Sequence, residues 1–443
     1  MVNITIPNNN IEERKYVINT FFRDFIGIQV NLSIADILNW EIQCLDKKII
    51  VEDAFFSKFQ QELSYLQKDC IPTMYSEDYV LGAKLVRIFG SGKYENTSKS
   101  VFLGNDIFAA TFFLLTQWEE IILKKEEHKT IYDKLKETEL FLVRNNLYAR
   151  CIVNEYITFI RKLLNIEQST HKFKVMLTHD VDRCYLSDER ELCVNVLNML
   201  KAGQVTKATK ILSDYLSYPK DSNPFDSFSI LMDMAEKAKC KAYFYFKACK
   251  RGDEGYTYSL TDETPQKAIR EIINRNHYIG LHASENTVGA YNKLLDEYKE
   301  LKEISGSVIE GGRTHQLIYD GEVFSNLSNI GLQYDSSVGF QYYNGFRTSV
   351  CLPYYIFDVI KRRTLNIKQI PFSIMDSVTL RQTITPDEFY KQIENIINIV
   401  KSYEGYFVSN WHSNMFLARG REDYVRVYRQ MMEYILNKQN EEE

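Results

Sequence analysis

From about residue 172 onward the chain repeats one rhythm: a short apolar run, then a longer amphipathic or polar segment. The runs fall at 174–178, 242–246, 278–281, 308–309, 332–334, 368–371 and 406–410. That alternation is the signature of buried parallel strands joined by crossover helices. Seven such runs favour a closed array over an open sheet, because closure leaves no unpaired edge. Residues 172–436 are therefore expected to form a distorted parallel (β/α)7-type barrel, with a polar tail over 437–443.

The polar residues at the ends of these runs narrow the function. His179-Asp180-Val181-Asp182 comes after the first, and His282-Ala283-Ser284-Glu285-Asn286 after the third. Arg313-Thr314-His315 lies beside the fourth, behind Gly311-Gly312. Asp335-Ser336-Ser337 comes after the fifth, and Trp411-His412-Ser413-Asn414 after the last. In a parallel barrel the C-terminal strand ends converge on one face, and that face carries the active site. Each residue taken singly has an ordinary reading. An Asp after a strand often caps the next helix, Arg313 could be a plain ion-pair partner, and Asp335 could cap its own turn. Two acids separated by one residue are harder to explain as caps. Four of the seven histidines (His179, His282, His315, His412) at such ends make the joint pattern harder still.

Residues 1–165 have a different texture, with few glycines and long apolar-periodic segments. Helices are expected over 106–120 and 145–164, and short strands at 48–51 and 85–89, giving a smaller mixed α/β domain. His128 sits in a Lys/Glu-rich surface stretch and reads as solvated. The 30 tyrosines and 26 phenylalanines read mainly as core packing. A net charge of −5 without a basic stripe argues against a nucleic-acid partner. The eight cysteines are scattered with no CxxC pair, so neither a zinc knuckle nor a disulfide framework is suggested. The first residues lack a basic and apolar leader, and no run approaches the roughly 20 apolar residues of a membrane span. A cytoplasmic protein is expected. Residues 193–226 read as a Lys-rich helical insertion, a lid or an interface.

Over roughly residues 172–425 these motifs resemble the polysaccharide deacetylase family. Thr178-His179-Asp180-Val181-Asp182 looks like the variant of the first family motif in which the two acids are separated by one residue. Ile279-Gly280-Leu281-His282 through Asn286 is similar to the second, Gly312-Arg313-Thr314-His315 to the third, Tyr334-Asp335-Ser336-Ser337 to the fourth, and Asn410-Trp411-His412 to the last. Two positions depart from the pattern: Asn286 stands where the family has a second histidine, and Val181 where it has its metal-binding Asp. The first 165 residues resemble an uncharacterised domain that precedes such variants, carried by Gly104-Asn105-Asp106 and Trp118-Glu119-Glu120.

The resemblance implies metal-assisted removal of an acetyl group from an amino sugar or a sugar-containing precursor. The metal would be divalent, zinc foremost, with nickel, cobalt or manganese as alternatives. Asp182 and His282 are the expected ligands, with His315 replacing the missing histidine and Asn286 as a fallback. Asp180 is the expected general base and His412 the general acid. Arg313 would orient Asp180, Asp335 would position His412 or Arg313, and His179 would stand behind the site. The roles of Asp180 and Asp182 stay exchangeable. Two other readings keep the barrel: hydrolysis of a formyl amide or ureide, and a metal-free sugar-binding or scaffold protein.

Overall fold

The computed structural model describes residues 2–441 except 46, 167–169, a scatter of positions between 186 and 224, 251–252, 254–255 and 419. Half of the 193–226 insertion therefore lies outside the described residues. The chain divides into two compact units. One comprises Met1–Lys174, Leu317–Ile374 and Asn395–Val408; the other comprises Val175–Gln316, Met375–Glu394 and Ser409–Glu443.

The first unit holds a six-stranded sheet in the order β2-β1-β3-β4-β8-β7. Its strands are β1 (Val2–Pro7), β2 (Val30–Ala35), β3 (Trp40–Cys44), β4 (Lys47–Val51), β7 (Tyr94–Asn96) and β8 (Ser100–Leu103). A separate hairpin pairs β5 (Ser76–Val80) with β6 (Ala83–Arg87). Its two-residue turn puts Leu81 (φ 50°) and Gly82 (φ 77°) in the left-handed region, the geometry that matches strand twist. The expected helix over 106–120 is two helices, Ile107–Thr116 and Trp118–Glu126. The chain breaks at Gln117, whose φ is 50°. The second expected helix begins only at Ile152, because residues 145–151 are spent on turns.

Aromatics fill this core. Trp40, Phe56, Phe108 and Phe112 are fully buried, and the Arg14 guanidinium lies 4.5 Å from the Trp40 ring centroid. That guanidinium also meets Asp53 at 2.6 Å, a buried pair that satisfies charge inside an apolar wall. Phe340, Val350, Leu352, Tyr354, Phe357 and Val359 belong to the same cluster as the side chains of residues 2–164.

The second large sheet has nine strands in the order β14-β15-β13-β12-β11-β10-β9-β17-β16. These are β9 (Lys174–Val181), β10 (Ala242–Phe246), β11 (Tyr278–Ala283), β12 (Gly311–Thr314), β13 (Tyr334–Asp335), β14 (Tyr354–Asp358), β15 (Arg363–Gln369), β16 (Ile374–Met375) and β17 (Tyr406–Asn410). The pairs β9/β10, β10/β11, β11/β12 and β13/β15 are parallel, and β14 adds antiparallel to β15. Beyond β15 the same run changes partner: Ile370 N donates to Asp335 O, whereas Ser373 N donates to Val408 O. Because β15 and β16 are successive stretches of one run, the sheet curls back on itself. This is the distorted parallel barrel expected from the alternation of runs.

The fourth strand is the instructive miss. The 308–309 run is not a strand, and Val308 is 75% exposed. The strand is the glycine-led Gly311–Thr314, all four residues of which are buried. A Cβ on Gly312 would lie 1.9 Å from the Leu281 carbonyl oxygen. Glycine is there so that two strands can approach, a demand hydrophobic periodicity does not report. Among the described residues no helix is long and apolar enough to cross a membrane.

Candidate active site

Alternation along β9 sorts the first motif. Successive side chains point to opposite faces of a strand, so Thr178 and Asp180 share one face with Asp182 just beyond, while His179 and Val181 take the other. The contacts obey that division. Arg313 donates to Asp180 Oδ1 (2.7 Å) and to Thr178 Oγ1 (3.0 Å). His179 lies behind the strand, its Nδ1 2.9 Å from the Trp411 carbonyl and its ring stacked on Phe244. Burial pushes the His179 pKa down to about 4, so it packs as a neutral ring. The interposed Val181 thus keeps both acids on the working face.

Asp180 is buried, and Asn410 Nδ2 donates to its second oxygen at 2.8 Å. Burial alone would raise its pKa. The charges of Arg313, His282 and His412 outweigh that and hold it down at about 2. It is a permanently ionised carboxylate.

Asp182, His282 and His315 converge: one ligand atom from each lies within 4.8 Å of the others. His282 Nδ1 donates to the Arg313 carbonyl (2.9 Å), because a carbonyl can only accept. His315 Nδ1 lies 2.9 Å from Glu285 Oε1. Both Nδ1 atoms are thus engaged from behind, which turns the Nε2 atoms inward. Metal-binding histidines are oriented in this way. Asp182 Oδ1 has no hydrogen-bond partner among the described residues, although it lies 3.4 Å from His282 Nε2 and 3.7 Å from His315 Nε2. Facing lone pairs at these separations call for a cation among them. Ligands at roughly 2.0–2.1 Å around a tetrahedral zinc stand roughly 3.3–3.4 Å apart, so the donor set fits such an ion.

A cation of the chain itself already reaches this set. Lys247, buried at the end of β10, places Nζ 3.1 Å from His315 Nε2 and 3.4 Å from Asp182 Oδ1. Burial, His282 and this ammonium push the His315 pKa down to about 3. Burial opposes the charge on Asp182, but His282 and Lys247 hold its pKa well below the usual carboxylate range.

His412 completes the group. Its Nε2 lies 3.9 Å from Asp180 Oδ2, and its Nδ1 lies 2.6 Å from Asp376 Oδ1. The His412 backbone N–H donates to the other Asp376 oxygen at 3.0 Å. Burial would lower the imidazole pKa, but the Asp376 charge and hydrogen bond raise it to about 9. The acid that meets His412 is therefore Asp376. Asp335 caps its own turn, accepting from Ser337 N and Oγ at 2.8 and 2.6 Å.

Lys247, Glu285, Asp376 and Asn410 take site positions that the sequence motifs did not assign. Three of them end an apolar run or come just after one, so the strand-end rule reaches them once the runs are bounded correctly. Asp376 escapes the strand-end rule because the sixth apolar run, at 368–371, stops before Ile374–Met375.

Comparison with known proteins gives three results. A model of a family of unknown function, DUF7033, matches residues 2–169. No curated protein sequence matches the chain. Over about 60% of its length the chain is similar in structure to polysaccharide deacetylases and CE4-family proteins. A Mycobacterium smegmatis protein assigned as a polysaccharide deacetylase is 16% identical, with TM-score 0.40 and coverage of 60% of this chain and 84% of that one. A polysaccharide deacetylase of Bacillus cereus is 12% identical, with TM-score 0.29 and coverage of 61% and 88%. A CE4-family pseudoenzyme of Bacillus anthracis is 9% identical, with TM-score 0.33 and coverage of 60% and 62%. Likenesses at this level do not speak to activity, and the fold stands on this chain's own strand order.

Proposed function

We propose that this chain is a metal-dependent hydrolase that removes an acetyl group from an amino sugar or a sugar-containing precursor. The observation that carries the reading is the joint placement of three converging donors (Asp182, His282, His315) beside an ionised acid and a protonated imidazole. Asp182, His282 and His315 would hold a divalent ion. Such an ion supplies an acidified water and a polarised carbonyl, the two things amide hydrolysis lacks at neutral pH.

The chain's own groups divide the remaining work. Asp180, held by Arg313 and Asn410, accepts the proton that the attacking water releases. A carboxylate with a pKa of about 2 is a weak base, so it serves only if the water is already acidified. His412 carries a proton at neutral pH and delivers it to the leaving amine, while Asp376 keeps it charged and fixes its ring. Glu285 and the Arg313 carbonyl orient the two histidines.

One observation favours a second reading, a metal-free sugar-binding barrel: the Lys247 ammonium lies where it would repel a divalent ion. One experiment separates the two. Zinc titration of the full chain, with acetate release from N-acetylglucosamine oligomers measured alongside, should show stoichiometric binding that is lost in Asp182→Asn and activity that a chelator abolishes. Absence of both zinc binding and acetate release would leave the binding reading. Release of formate or ammonia from formyl amides or ureides in place of acetate would change the substrate and keep the chemistry.

A further inference from the structure

Lys247 stands in the donor set without a part in holding the ion, taking the proton or giving it. The parallel register puts it there. Phe246 of β10 pairs with Val181 of β9 on one side and with Leu281 of β11 on the other. One position further along, Asp182, Lys247 and His282 stand side by side at the end of the sheet. Alternation sends them to one face, and the distances agree. Lys247 Nζ donates to His315 Nε2 at 3.1 Å and lies 3.4 Å from Asp182 Oδ1.

The lysine is built into the barrel end. Its side chain is 4% exposed. Its backbone N–H donates to Tyr258 Oη at 2.8 Å, and that hydroxyl donates to the Val181 carbonyl at 2.8 Å. Tyr258 is itself buried, and Thr257 Oγ1 donates to the Asp182 carbonyl. The strand ends that carry Lys247 and Asp182 are thus clamped to one another, while the flexible aliphatic stem lets the ammonium turn.

A buried charge needs an opposite one beside it. Arg313 has Asp180 and His412 has Asp376, and neither acid belongs to the three converging donors. Lys247 meets Asp182, which does. A divalent ion held by Asp182, His282 and His315 would use the lone pairs that the ammonium now meets, and would turn it aside on the same face. The group that must come to that place is the reacting carbonyl. Water adds to its carbon and gives a proton to Asp180, while the C=O π pair moves onto oxygen. The pair returns as the C–N bond breaks, and the amine leaves with the proton of His412. A fixed cation beside that oxygen acts on the transition state more than on the neutral substrate.

We infer that Lys247 is a catalytic residue that stabilises the negative charge developing on the carbonyl oxygen. This role rests on the hydrolase reading and gives it a further cation. The test compares the full chain with Lys247→Met and Lys247→Arg. Zinc binding is measured by calorimetry, acetate binding on the zinc-loaded chain, and turnover as acetate release from N-acetylglucosamine oligomers. Lys247→Gln replaces the methionine variant if that one does not fold. In Lys247→Met zinc binding should tighten, yet kcat at saturating zinc should fall about 10²–10³-fold, the usual effect of one lost oxyanion donor. KM should change little, because the interaction is made in the transition state. Acetate, which carries the product's charge, should bind about tenfold more weakly. Lys247→Arg should recover part of both losses. Tighter metal with slower turnover is a pairing that a merely repelling lysine would not give. Unchanged or faster turnover in zinc-saturated Lys247→Met would overturn this role and leave the hydrolase reading standing. So would a raised KM at constant kcat, which would make Lys247 a receptor for an anionic group elsewhere on the sugar. No zinc binding and no acetate release by the wild type would overturn both.

Discussion

Replacing Asp376 by asparagine keeps the volume at a fully buried position and removes one charge from beside His412. In the native chain that charge and its 2.6 Å hydrogen bond outweigh the burial of the imidazole and raise its pKa to about 9. Without it the ring should titrate much nearer its ordinary value of 6.5, because Asp376 is the largest of the charges that oppose burial and only the weaker pull of Asp182 and Asp180 remains. The difference between about 9 and 6.5 corresponds to roughly 3 kcal/mol. The folded pKa is the raised one, so this stabilisation is fully present below pH 6.5. It is lost as pH rises through about 9. In Asp376→Asn the alkaline loss of stability should disappear. Near about pH 7.5 the protonated fraction of His412 should fall roughly tenfold, and turnover with it. Histidine ring NMR across the neutral and alkaline range reads the pKa directly, and the alkaline limb of the pH–rate profile should move down in parallel. A variant whose His412 still titrates near 9 would refute the reasoning, and the raised pKa would then have to come from Asp180 and Asp182.

Other substitutions probe the same group from different sides. Arg313→Met should destabilise the chain by about 3–5 kcal/mol, because it strands the buried Asp180 charge; a denaturant midpoint little changed from wild type would contradict this. Lys247→Met should tighten zinc binding by about tenfold or more, since one like charge leaves the donor set; calorimetry showing weaker binding would mean that Lys247 orients the ligands. Glu285→Gln should weaken zinc binding by about 10–100-fold through His315 alone, the usual cost of removing an outer partner, while leaving the melting temperature of the metal-free chain nearly unchanged. Gly312→Ala should lower the melting temperature sharply, because its Cβ has no room beside the Leu281 carbonyl; a variant as stable as wild type would mean the strands can part at small cost.

Much of the barrel was legible because its strands announce themselves by composition. Ala242–Phe246 and Tyr406–Asn410 fall where the apolar runs lie, and β9 extends its run to Val181. The illegible part depended on the third dimension. Gly311–Thr314 is buried by backbone approach and carries almost no apolar side chain. Gln117 breaks a continuous apolar stretch through a left-handed backbone that hydrophobic periodicity does not report. Among the site residues, Asp180, Asp182, His282, Arg313, His315 and His412 stand at strand ends, where a barrel collects its chemistry. Lys247 and Asp376 stand at such ends too. A lysine after Phe246 reads as an ordinary surface cation until its burial is seen, and an acid partner for a histidine cannot be chosen among several by sequence position.

The shared aromatic core has a practical consequence for dissecting this chain. Phe340, Val350, Leu352, Tyr354, Phe357 and Val359 pack with side chains from residues 2–164, so a fragment beginning at residue 172 would carry an apolar scar over its β14 segment. Such a fragment should aggregate or require detergent. The DUF7033-matching region therefore does not behave as a detachable cassette: grafting it onto another barrel, or deleting it, would require redesigning that strip as well.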